Sequence, residues 1–291
     1  MNYEAFKWHL LEEVKQQAGE SMTVRLHRIS RNNQVSYDGL SIHEGESGTC
    51  PVIPVGMCYE DYNTGKTVTQ IAEKIVTTHQ YTKERSFVES VNYTEPAFIK
   101  PLLCPKLINH AMNEVMLRDT PHMDFLDLAV VYYVKVTMPD GEVGGFLVKD
   151  RELESWGMTQ EEVHELALEN GVNHAEVDLM DMAQLSLCTG LDNHGFNPPM
   201  YVMTTSARLF GASILLNPQL FIALAEAFGE DVLIIPSSIH ELIVMPESYC
   251  SGIDNLRLTI KEVNSTEVEP DEVLSFNVYR YRRRDGVLEI A

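Results

Sequence analysis

Strands joined by hairpins, with helices inserted in blocks, predict an α+β fold of antiparallel or mixed sheets for this chain of 291 residues. Three observations carry that expectation. Apolar residues recur at helical spacing near the N-terminus. The period then changes to strict alternation across two runs separated by a polar turn. No regular strand-helix-strand repetition, the mark of a doubly wound parallel sheet, follows.

Taken in order, Tyr3, Phe6, Leu10, Leu11 and Val14 share one helical face, and Ala18-Gly19 ends the run. Residues 22–30 and 35–43 alternate polar and apolar, and Arg31-Asn32-Asn33-Gln34 suits the turn between them, so a hairpin is expected. A third strand covers 51–55, and Thr67 caps a helix whose apolar stripe is Val68, Ile71, Ala72, Ile75 and Val76. Prolines at 96, 101, 105 and 121 interrupt the next stretch and leave a strand near Leu102 to Ile108. Leu126 to Thr137, the turn Pro139-Asp140-Gly141-Glu142 and Val143 to Lys149 read as a second hairpin. Thr159 with Glu162 is a capping box for a helix reaching Asn170-Gly171, and a further helix is expected over 175–187. Strands follow at 200–204 and 212–216, then a helix opened by Asn217-Pro218 and closed by Gly229. Strands at 231–235 and 242–246, a helix bearing Ile253, Leu256, Ile260 and Val263, and a hairpin turning at Asp285-Gly286 complete the chain. The expected organisation is an N-terminal helix-hairpin-helix block, 1–95, and a C-terminal α+β domain, 96–291, or one continuous domain.

Composition narrows the function classes. With 22 basic against 43 acidic residues the net charge is −21, which opposes nucleic acid and anionic lipid and favours a basic protein partner. Arg280, Arg282, Arg283 and Arg284 are the local exception, and pairing with the surplus carboxylates is their simplest use. The five cysteines show no Cys-x-x-Cys spacing, and the N-terminus has neither the basic start nor the apolar core of a signal peptide. No window approaches the length of apolar chain that spans a bilayer, so a cytoplasmic setting is expected.

Catalytic and cofactor motifs fail one by one. Gly65-Lys66-Thr67 sits where a phosphate loop would end, but the leading glycine is replaced by Glu60, whose carboxylate opposes phosphate. No serine elbow and no zincin pair is present. His110 with Glu114, four apart, and His122 with Asp124, two apart, are ligand-capable pairs, as is the Asp192-Asn193-His194-Gly195 loop. Solvated pairs and turns of that composition are far commoner than metal ligands, so no metal and no cofactor is assigned. The remaining candidate is Ser237, Ser238, His240 and Glu241, between two apolar strands. In an extended chain Ser238 and His240 share a face while Ser237 and Glu241 take the other, which allows a Ser238 to His240 hydrogen bond but no local three-residue relay. The commoner alternative is that the serines cap their own main chain.

Beyond single motifs, Tyr201-Val202-Met203-Thr204, Gly211-Ala212-Ser213 and Ile235-Pro236-Ser237-Ser238-Ile239-His240-Glu241 resemble an uncharacterised bacterial family, a domain of unknown function. Asn2-Tyr3, Asn32-Asn33, Tyr37-Asp38-Gly39-Leu40, Leu107-Ile108-Asn109, Asn113-Glu114, Phe125-Leu126-Asp127-Leu128-Ala129 and Val273-Leu274-Ser275 carry the resemblance towards both ends. It implies a whole-chain intracellular domain and transfers no activity, cofactor or catalytic residue. The leading expectation is a non-enzymatic cytoplasmic binding or regulatory protein with an acidic surface. The alternatives are a hydrolase using Ser238 or Ser237 with His240 as general base, and a metal-dependent enzyme built from His110, Glu114, His122 or Asp124.

Overall fold

A computed structural model describes residues 1–44, 52–84, 95–137, 143–182 and 199–291. Cys50, Cys188, the expected turn at 139–142, residues 183–187 of the expected helix and the 192–195 loop lie outside the described residues. What is described is α+β, with antiparallel strand pairing throughout, in two compact units. The first takes Met1–Arg31 and the described chain from Val35 to Glu84; the second takes Asn32–Gln34 and the described chain from Glu95 onward.

In the first unit, helix α1 (Tyr3–Ala18) starts where the Asn2 side chain accepts the Ala5 N–H at 2.9 Å and stops at Gly19, whose φ of 84° a side chain would resist. Strands β1 (Met22–Ser30) and β2 (Ser36–Glu44) pair from Met22↔Glu44 to Ser30↔Ser36, and β3 (Ile53–Pro54) adds to β2. Helix α2 (Val55–Asn63) is not expected from the sequence, where 51–55 reads as a strand; Ile53–Pro54 of that run pairs with β2, Pro54 also sits at the N-cap of α2, and Val55 and Cys58 face inward. Helix α3 (Val68–Glu84) opens with a reciprocal cap between Thr67 and Gln70. Phe6, Leu10, Leu11 and Val14 pack with Val24, Leu40, Ile42, Ile71, Ala72 and Ile75 in one core.

The second unit holds two sheets. Helical turn α4 (Pro96–Ile99) precedes β4 (Leu103–Asn109), and helical turn α5 (Glu114–Leu117) precedes β5 (His122–Phe125), β6 (Leu128–Thr137) and β7 (Val143–Leu147). Strand β6 pairs with β4, β5 and β7. Leu126 to Thr137 is therefore not one strand: Leu126, at φ 55°, and Asp127 form a two-residue turn between β5 and β6. Helices α6 (Asp150–Trp156) and α7 (Gln160–Leu168) follow, the second behind the expected Thr159–Glu162 capping box.

Two further expectations fail. Residues 177–181 are strand β8, paired with β9 (Tyr201–Thr205), so the helix expected over 175–187 is overridden by edge pairing. Residues 211–216 are a 3₁₀ helix rather than a strand; Ala212, Ser213, Ile214 and Leu215 are all buried, and a continuous apolar run does not distinguish the two by periodicity. Helix α8 (Pro218–Phe228), β10 (Val232–Ile235), β11 (Leu242–Pro246), helix α9 (Ile253–Thr266), β12 (Tyr279–Arg282) and β13 (Val287–Ile290) complete the unit. Its larger sheet runs β13-β12-β10-β11-β9-β8. Leu103, Leu107, Leu128, Val130 and Tyr132 from the smaller sheet meet Met203, Ile234, Leu242, Val244 and Tyr279 from the larger one in a shared core.

Candidate functional site

Residues 236–241 connect β10 to β11 in the middle of the larger sheet and lie against the strap Glu269–Asn277. Main-chain bonds join Ser275 N–H to Pro236 O (3.1 Å), Leu274 N–H to Ser237 O (3.4 Å) and Ile239 N–H to Glu272 O (2.9 Å), with a Ser238↔Val273 bridge. Both serines are buried. The Ser237 hydroxyl donates to Asn264 Oδ1 at 3.4 Å, and that of Ser238 accepts the main-chain N–H of His240 at 3.1 Å. The bond expected between Ser238 and His240 thus runs to the backbone and not to the ring. The imidazole of His240 stacks on Phe210 (5.8 Å between centroids, 15°); its Nδ1 accepts the Phe210 N–H at 3.2 Å, and Nε2 stands 3.5 Å from Glu272 Oε1. That pattern places the ring proton on Nε2, facing the carboxylate. Glu241 is half-buried and joins none of these bonds.

The same strap is held by side chains that sequence reading quoted without a role. Asn33 Nδ2 donates to Pro270 O and Val273 O, Asn109 Nδ2 to Leu274 O, and Asn113 Nδ2 to Asn33 Oδ1 and Asn109 O. Asp127 accepts from Ser275 Oγ (2.6 Å), Asn277 Nδ2 (2.9 Å) and the Tyr279 hydroxyl (2.5 Å). Asn264 and Asn277, and the bond from Tyr279 to Asp127, escape sequence reasoning, since the partners are distant in the chain and no spacing announces them. Three of the four C-terminal arginines take the simple reading: Arg280 pairs with Glu247 and Glu289, Arg282 with Asp285 and Glu289, and Arg283 with Glu226.

A different group of residues forms a site that could hold an ion. His122 and Asp124 are two apart on β5 and so project from one face, opposite Val131 and Ala129 of β6. Ile108 of β4 pairs with Ala129, and Ile108, Leu117, Ala129 and Val131 make a buried apolar floor on that face. His110 is the first residue past β4; its N–H donates to Asp127 O at 3.1 Å, turning the chain at the end of the sheet. His110 Nε2 then stands 3.4 Å from Asp124 Oδ1, and the His110 and His122 rings are 6.0 Å apart between centroids. One ligand atom from each of the three residues lies within 4.8 Å of the others. Tetrahedral ligands at about 2.1 Å from a metal are themselves about 3.4 Å apart, which the His110–Asp124 pair already matches, and the ligand atom of His122 lies within 4.8 Å of both.

The surroundings of His122 are ordered. Its Nδ1–H donates to Thr120 O at 2.7 Å, which puts the lone pair on Nε2, and its own carbonyl accepts from Gln160 Nε2 at 2.7 Å. Thr120 is buried, donates from Oγ1 to Met116 O and accepts from Lys149 Nζ, which also reaches Asp119 at 2.7 Å. The Lys149 ammonium holds the Asp119 carboxyl below the usual carboxylate range. The sequence pairs are therefore recombined: His110 joins His122 and Asp124, while Glu114 stays exposed outside the group. Four-residue spacing needs continuous α-helix, whereas Ala111–Asn113 is a 3₁₀ turn and α5 starts only at Glu114.

Fold and site together define an α+β protein of antiparallel sheets that carries two imidazoles and a carboxylate at the end of its four-stranded sheet. The chain belongs to a family of unknown function, DUF5688, whose model matches residues 3–283. No curated protein and no solved structure matches it. Among the described residues no helix is long and apolar enough to cross a membrane.

Proposed function

We propose that this protein is a cytoplasmic binding protein that carries a first-row divalent cation on His110, His122 and Asp124. The observation that supports this reading is the grouping of His110, His122 and Asp124, one ligand atom of each within 4.8 Å of the others, with His122 held by its Nδ1–H to Thr120 O so that the ring keeps a lone pair on Nε2. Two imidazoles and a carboxylate suit zinc, cobalt, iron or manganese better than calcium, which prefers an all-oxygen shell. Binding has more support than hydrolysis at residues 236–241. His240 accepts a main-chain N–H on Nδ1 and turns Nε2 to Glu272, so neither ring nitrogen is bonded to a serine hydroxyl as a general base requires. The reading keeps a basic protein as partner, supported by the charge of −21, and a reducing compartment, supported by free Cys58, Cys104 and Cys250.

Isothermal titration of the purified chain with Zn²⁺ and Co²⁺, followed by elemental analysis after gel filtration, tests it. One retained equivalent is expected, with affinity at least about tenfold weaker in His122→Ala at unchanged circular dichroism. Absence of a saturable site, or wild-type affinity in the variant, would falsify the assignment.

A further inference from the structure

Resting on that reading, we infer that the cation's outward positions take a small bidentate oxyanion, of the dicarboxylate or 2-oxo-carboxylate class. The three protein donors approach from one side only. His122 and Asp124 rise from β5, His110 comes over the end of β4, and the space beneath them is filled by the side chains of Ile108, Leu117, Ala129 and Val131. Among the described residues no further His, Cys, Asp or Glu joins the group of three, and Glu114 is exposed outside it. Two of the three side chains open outward: that of Asp124 is 80% exposed and that of His110 43%. An ion of coordination number five or six held this way keeps two or three adjacent positions for external ligands.

Charge then selects the ligand. Two neutral imidazoles and one carboxylate leave a divalent ion with one net positive charge, a local anchor for an anion on a chain of charge −21. That same overall charge opposes a large polyanion such as a nucleic acid, whereas a compact dianion engages the ion with both oxygens at once. Two oxygens on one rigid frame bind more tightly than two separate ligands because the second bond forms at high effective concentration.

The test uses the full chain loaded with Co²⁺, whose visible absorption reports its coordination sphere, with oxalate as the probe and acetate as the monodentate control. Oxalate is expected to change the spectrum saturably at one equivalent per cobalt, with half-saturation about tenfold or more below that of acetate. Equilibrium dialysis in parallel should show the cobalt still on the protein. A cobalt spectrum unmoved by oxalate, an equal response to acetate, or loss of the metal to oxalate would each overturn the inference while leaving cation binding intact. Failure of the wild-type chain to take up cobalt at all would remove the cation site itself, and this inference with it. His110→Ala, at a half-buried position, supplies a second check: at unchanged circular dichroism it is expected to lose the oxalate response together with at least about tenfold in cobalt affinity, and a full response in that variant counts against the site.

Discussion

Asp127 shows how much one side chain can organise. It sits in the two-residue turn between β5 and β6, and its carboxylate accepts hydrogen bonds from Ser275, Asn277 and Tyr279, which lie 148, 150 and 152 residues away in the chain. Hydrogen bonds to an ionised acceptor are stronger than neutral ones, and removing the acceptor leaves three partly buried donors without a partner. Asp127→Ala is expected to cost about 3 kcal/mol of unfolding free energy, and Tyr279→Phe about 1.5 kcal/mol, by urea denaturation. A loss in Asp127→Ala smaller than that in Tyr279→Phe would show that the carboxylate does not hold the group together. The same turn places the His110 amide on the Asp127 carbonyl, so the variant is also expected to weaken cation binding. Nothing in the spacing of Asp127 to its neighbours announces these roles, because every partner of its carboxylate comes from the other end of the chain.

At the level of elements, hairpins were readable, as were the single strands expected near 102–108 and at 200–204, 231–235 and 242–246, whereas two other solitary runs were not. Strands β1 and β2 follow the alternation of their sequence, and β12 and β13 turn where Asp285-Gly286 suggests, because both strands of each pair are written side by side. By contrast, β8 is a strand through pairing with β9, from which it is separated by about twenty residues, and its own residues favour helix. The 3₁₀ helix at Gly211–Leu216 is likewise set by its surroundings. A Cβ on Gly211 would stand 2.1 Å from Thr204 Oγ1 and 2.3 Å from His240 O, so the backbone fits there only without a side chain. The Thr204 hydroxyl donates to that same carbonyl at 2.7 Å, which fixes the approach from both sides. Gly211→Ala is expected to cost about 3 kcal/mol or more in urea denaturation and to displace the His240 loop. Stability within about 0.5 kcal/mol of wild type would mean that this packing is looser than the distances imply.

For the molecule as a whole, burial of two phenols sets an alkaline limit. Tyr132 and Tyr279 are fully buried, and burial pushes both hydroxyls well above the ordinary tyrosine range, with the Asp127 charge adding to the shift at Tyr279. In the unfolded chain each loses its proton near about pH 10, while the folded chain keeps it. The stabilisation is therefore complete below about pH 10 and declines above it, by about 1.4 kcal/mol per pH unit for each tyrosine. Urea midpoints measured from pH 8 to 11 should begin to fall near about pH 9, where the thiols of Cys58 and Cys104, pushed up to about 11 by burial, contribute, and fall more steeply above about 10, less so in Tyr279→Phe than in wild type. A parallel decline in the two proteins would exclude Tyr279 as a source.

By itself the sequence determined the class of fold, most helices with their caps, and the hairpins, since these depend on periodicity and on residues within a few positions of each other. It also held every residue of the cation cluster, as two separate pairs. Only the tertiary structure decided that His110 belongs with His122 and Asp124 and that Glu114 does not, and that the ring of His240 faces Phe210 and Glu272. The physical reason is that a site requires side-chain atoms to converge within a few ångströms. Strand register and the hand of a turn decide that convergence, and both are fixed by pairing between segments far apart in the chain.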